Sequence, residues 1–73
     1  MAAYEFTNGE KTYVAEYEDG ARINGVSKDR YAIWWPQTEG LAYERAATVW
    51  VPRKLKEGSD KFFAALRAGM NAA

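Results

Sequence analysis

The chain contains no cysteine and no histidine. Without thiols there is no disulfide to staple a small fold and no thiolate to bind zinc. Without imidazole, the side chain that titrates nearest neutral pH is missing, and with it the commonest general base. Ser-His-Asp and Cys-His arrangements are therefore excluded. There are only two prolines, Pro36 and Pro52, so each reads as punctuation between elements. The six glycines are scattered among turn-like positions and form no phosphate-cradling motif. No apolar run approaches the ~20 residues of a spanning helix. The start, Met1-Ala2-Ala3-Tyr4-Glu5, has no cationic region ahead of an apolar stretch. These absences together lead us to expect a soluble, cytoplasmic, non-enzymatic protein without cofactor, metal or small-molecule substrate.

Net charge is absent too: ten basic residues balance ten acidic ones. Their distribution is uneven, with four basic and seven acidic side chains in residues 1–43, and six basic and three acidic in residues 44–73. Overall neutrality removes the cationic footprint of sequence-independent nucleic-acid binders, while leaving room for a local basic patch.

Aromatic residues are what the chain has in quantity. Three Trp, five Tyr and three Phe occur in 73 residues. A single domain of this length buries only about 60% of the surface its unfolded form exposes. Aromatic side chains bury roughly 150–250 Å² each and can stand in for the missing staples.

Asn8-Gly9, between Tyr4–Thr7 and Glu10–Tyr17, is a two-residue hairpin signal. A type I′ turn there pairs Thr7 with Glu10, Phe6 with Lys11 and Tyr4 with Tyr13. Glu18-Asp19-Gly20 reads as a second turn and Asn24-Gly25 as a third, with Gly25–Arg30 as a loop. Tyr31–Trp35 is a strand closed by Pro36. Because strand side chains alternate, Tyr31, Ile33 and Trp35 face one way and Ala32 and Trp34 the other. Residues 41–51 read as a further strand, paired so that Trp35 faces Leu41, Ile33 faces Tyr43 and Tyr31 faces Arg45. A short helix over residues 38–46 is the rival. After Pro52 and the basic connector Arg53–Gly58, Ser59 caps a helix whose apolar stripe is Phe62, Phe63, Leu66 and Met70. Gly69 and Asn71 mark its end. The predicted fold is α+β: a small antiparallel sheet of three to five short strands with one C-terminal helix on one face. Its expected core is Tyr4, Phe6, Tyr13, Ile33, Trp35, Val49, Phe62, Phe63 and Leu66.

Interface hot spots favour Trp, Tyr and Arg. The candidate partner-binding residues are Trp34, Tyr31, Arg30, Trp50, Arg53, Lys54 and Lys56. In the register above, Trp50 lies eight residues from the position opposite Trp34, roughly 26 Å at ~3.3 Å per residue, so the two indoles would not share a site. Glu16, Glu18 and Asp19 form an acidic group without the alternating pattern of a calcium loop. The expectation is an interaction protein that binds and modulates a larger protein complex. Small phage and mobile-element regulators or inhibitors of host RNA polymerase or defence systems are the background class for chains of this size. A single-stranded nucleic-acid binder using Trp34 and the basic connector is the alternative, and a minor virion subunit a further one.

Overall fold

The computed structural model describes residues 3–35 and 44–72. Four strands, β1 (Ala3–Asn8), β2 (Lys11–Ile23), β3 (Val26–Trp34) and β4 (Arg45–Pro52), precede one helix, α1 (Asp60–Asn71). The strands form one antiparallel sheet in the order β1-β2-β3-β4. This is the α+β architecture that the sequence predicts.

The first hairpin forms where expected but in another register. Asn8 pairs with Lys11, Phe6 with Tyr13 and Tyr4 with Ala15. Gly9, at φ 67°, is the first residue of the two-residue loop, which is the glycine position of a type II′ turn. The shift is by two, so every side chain keeps its face. The cross-strand ring pair is accordingly Phe6–Tyr13, at 6.0 Å between centroids, rather than Tyr4–Tyr13. The type I′ geometry belongs to the second hairpin, where Asn24 and Gly25 both take positive φ (51° and 79°).

Glu18-Asp19-Gly20 is not a turn. β2 runs straight through it, with Tyr17 opposite Tyr31 and Asp19 opposite Arg30, so Glu18 is the extra residue of a β-bulge. β3 in turn begins at Val26, and the segment expected as a loop is its first half. Facing strands supply backbone partners there, which outweighs the local turn preference of the residues.

β4 pairs with β3 through Ile33–Ala47, Tyr31–Val49 and Asp29–Val51, four positions away from the predicted register. The expected partners Leu41 and Tyr43, and the proposed loop from Pro36 to Gly40, lie outside the described residues. Residues 45 and 46 are strand. Ala47, Val49 and Val51 do share the apolar face as expected.

α1 lies on that face. Ser59 caps it, its hydroxyl oxygen accepting from the Phe62 N–H at 3.2 Å. Phe62 and Leu66 are buried, and Phe63 and Met70 pack at the margin. Phe62 meets Tyr4 and Tyr31 edge-on, each at 5.2 Å between centroids. Gly69 does not end the helix. A β-carbon there would collide with the Val49 side chain, so glycine is what lets helix and strand approach. At the edge strand, the Arg67 Nε–H donates to the Thr7 carbonyl at 2.6 Å, and Asn8 donates to Asn71 at 3.1 Å. The core contains Phe6, Tyr13, Ile33, Val49, Phe62 and Leu66 as expected, together with Ala15, Tyr31 and Val51. Tyr4, Trp35 and Phe63 are partly buried against it. Among the described residues, no helix is long and apolar enough to cross a membrane.

Candidate functional site

Strand alternation sends one set of side chains under α1 and the other to the opposite face. Among the described residues nothing outside the sheet packs on that second face. Its rows follow from the pairing. One runs Glu5, Val14, Trp34, Arg45; the next runs Ala3, Glu16, Ala32, Thr48; Trp50 stands opposite Arg30 beyond them.

A continuous ladder of side chains crosses this face. The Arg45 guanidinium lies over the Trp34 ring at 5.0 Å and that of Arg30 over the Trp50 ring at 5.7 Å. Glu18 joins the two halves. Its Oε1 is 3.4 Å from Arg30 Nε, and its Oε2 accepts a short hydrogen bond from Arg45 Nη2. Asp19 takes a second bond from Arg30 at 2.8 Å, and Arg45 also donates to the Thr48 hydroxyl at 3.3 Å. Two irregularities aim these groups. The bulge at Glu18 turns its carboxylate onto the face, and a second bulge sets Trp34 opposite Arg45, leaving Ala46 as the extra residue. Ala32, on the same face, is 0% exposed. A small side chain there leaves room for the Arg45–Glu18 bridge to pass between the rows.

This register corrects the spacing of the indoles. Trp50 faces Arg30, four residues before Trp34 on β3, so the two lie roughly 13 Å apart along the strand at ~3.3 Å per residue. Trp50 is 37% exposed and Trp34 half-buried. Beside Trp34 is a depression of about 330 Å³, lined by Ala3, Val14, Glu16 and Trp34.

The remaining candidates lie elsewhere. Tyr31 is 0% exposed beneath α1, in ring contact with Tyr17 and Phe62, so it is a core residue and not part of a contact surface. The alternation placed it correctly with Ile33; counting it toward an interface ignored the helix above. Arg53 is committed to the buried Asp29 at 3.1 Å and lies over Gly20, where any β-carbon would strike its guanidinium. Lys54 and Lys56 line a separate depression of about 590 Å³ at the start of α1, together with Leu55, Ser59, Asp60 and Lys61. Leu55 packs against the core under α1, so this connector belongs to the helix side. The seven candidates thus divide into Arg30, Trp34 and Trp50 on the face opposite α1, three connector residues, and one core tyrosine.

Sequence reading missed Arg45 and Glu18, the groups that hold the face together. Their signal was present only as charge: an arginine and a carboxylate whose meeting depends on two bulges. Glu18 and Asp19 are occupied by arginines, and no group of three or more metal-ligating side chains occurs among the described residues. On the helix side, the Tyr4 hydroxyl donates to Glu57 at 2.6 Å. That bond, with lesser contributions from burial and the Glu57 charge, raises the Tyr4 pKa. Tyr31 is raised much further, first by burial and then by the Glu57 charge. Comparison with protein-family models, with curated proteins and with solved structures finds no match.

Proposed function

We propose that this chain is a non-enzymatic interaction protein that docks on a larger protein through the sheet face opposite α1 and modulates it. The observation that carries this reading is the pair of arginine-stacked tryptophans on one face, joined through Glu18. Trp and Arg dominate interface hot spots. Side chains already held in place lose less conformational freedom on binding, which improves the net affinity of the same contact area. The depression beside Trp34 is at the small end of the ~300–1,000 Å³ range of ligand pockets and suits a protruding side chain better than an enclosed reaction. A regulator or inhibitor of a host complex, of phage or mobile-element type, is the biological form this binding would take.

The second reading, a single-stranded nucleic-acid binder, is favoured by one observation, the depression lined by Lys54, Lys56 and Lys61. Affinity capture from a lysate of the source cell, with and without nuclease, separates the two. The expected result is nuclease-resistant capture of a protein that is lost with Trp50→Ala and kept when Lys54 and Lys56 are both changed to Ala. Capture lost to nuclease and to the lysine variant, but kept with Trp50→Ala, would move the site to the connector.

A further inference from the structure

We propose that the depression beside Trp34 receives a lysine or arginine side chain from the protein partner. The inference rests on the reading of this face as the binding face and adds the chemistry of what enters it. Three observations carry it. The walls contributed by Ala3, Val14 and Trp34 are apolar, and Glu16 places a carboxylate at the same cavity. Glu16 makes no ion pair among the described residues, and neither does Glu5, which stands opposite Val14 in the adjoining row. Meanwhile Glu18 and Asp19 are balanced by Arg30 and Arg45, so among the described residues the charge near Trp34 that lacks an ion-pair partner is negative.

Lysine and arginine match this arrangement part by part. Their aliphatic stems lie along apolar surface while the charged head reaches a polar group. The head would meet the Glu16 carboxylate, giving a charge-assisted hydrogen bond. The Trp34 ring already holds the Arg45 guanidinium at 5.0 Å, so its part in the depression is that of an apolar wall along which the stem lies. A volume of about 330 Å³ accommodates one long side chain and its hydration. Phosphate is disfavoured at the same place, because the Glu16 carboxylate in its wall repels it. The partner therefore presents a basic residue within an otherwise complementary surface.

The test uses the isotope-labelled chain and four capped Gly-Ser peptides carrying one central Lys, Arg, norleucine or Glu. Lys and Arg peptides are expected to shift the Trp34 indole N–H and the Val14 and Glu16 amides, with norleucine weaker and Glu without effect. Glu16→Gln, at an exposed position with no ion pair to lose among the described residues, should lower affinity for the Lys peptide about two- to fivefold, as expected for one exposed charge pair. Glu10→Gln, in the first turn, should not. Equal response to the Glu or norleucine peptide, or none at Trp34 with any peptide, overturns the proposal. Shifts at Trp34 with a single-stranded oligonucleotide, or on raising the concentration of the chain alone, overturn it in favour of those occupants. If the cation assignment fails while Trp50→Ala still abolishes partner capture, the reading of the face stands and only its chemistry is wrong.

Discussion

Glu18 and Arg45 meet across strands that are not neighbours, since β3 runs between β2 and β4. Two interstrand steps of ~4.8 Å separate their backbones, a gap that only long side chains lying flat on the sheet can close. The bridge fixes Arg45 over Trp34 and, through Arg30, links it to Trp50.

Removing the bridge should therefore disturb the face more than the fold. Exposed ion pairs are worth about 0–1 kcal/mol each, so Glu18→Ala should lower stability by no more than about 2 kcal/mol for its two pairs. The indole N–H resonances of Trp34 and Trp50 should both move, although Trp50 does not touch Glu18 directly. Thermal melting and a two-dimensional amide spectrum check both parts. An unchanged Trp50 signal would show that the ladder does not transmit.

Gly69 tests the seat of the helix. Its missing β-carbon is where the Val49 side chain lies. Overpacking costs ~1–3 kcal/mol, against about 1 kcal/mol gained from alanine's better helix propensity. Gly69→Ala should be neutral to destabilising by ~2 kcal/mol, and the loss should shrink in a Val49→Ala background. A double-mutant cycle of melting curves measures that coupling.

Much of this was legible in the chain itself. The plan of a small antiparallel sheet with one C-terminal helix follows from alternation, two Asn-Gly pairs and the Phe62–Leu66 stripe, all of them local signals. What escaped were features set by distant partners. Glu18-Asp19-Gly20 has turn composition, but β3 offers its backbone a ladder, so it became a bulge. The β3–β4 register depends on how many residues the connection consumes, which composition does not specify. Tyr31 looked like an interface residue because its burial is due to a helix thirty positions away. The face opposite α1 inherits these difficulties, since two bulges and one register decide that Arg45, Glu18 and Arg30 converge.

Phe62 and Phe63 are adjacent but unequal. Phe62 is 1% exposed, between Tyr4 and Tyr31, whereas Phe63 is partly buried beside Phe6. Phe62→Ala should cost ~3–5 kcal/mol, a large share of the ~5–15 kcal/mol typical of a domain. Phe63→Ala should cost less. Denaturant unfolding of the two variants gives the ranking, and the reverse order would mean that the helix is rotated about its axis.

Stability should decline in alkaline solution. Tyr4 and Tyr31 both have folded-state pKa values raised above the ordinary value near 10, Tyr31 chiefly by burial and Tyr4 chiefly by its bond to Glu57. A raised value means that the fold favours the neutral phenol. The stabilisation is fully present below pH ~10 and is lost as pH rises through the folded values, because the unfolded chain ionises first. With no histidine to titrate, the melting temperature should be nearly flat from pH 6 to 8 and fall above about 10. Tyr31→Phe should flatten that fall. An equally steep fall in the variant would assign it to other groups.

The two indoles make the most direct test of the face. Trp50 is exposed and lies outside the core cluster, so Trp50→Ala should leave the melting temperature near that of the parent. Partner affinity should nonetheless fall by ~2 kcal/mol or more, the threshold for a hot spot. Trp34→Ala should weaken binding to a similar degree. Because Glu18 ties the arginines over both rings, the double variant should lose less than the two single losses added together. Titration calorimetry with the captured partner measures all three. Strict additivity would separate the rings into independent contacts, and no loss from either would place the partner on another surface.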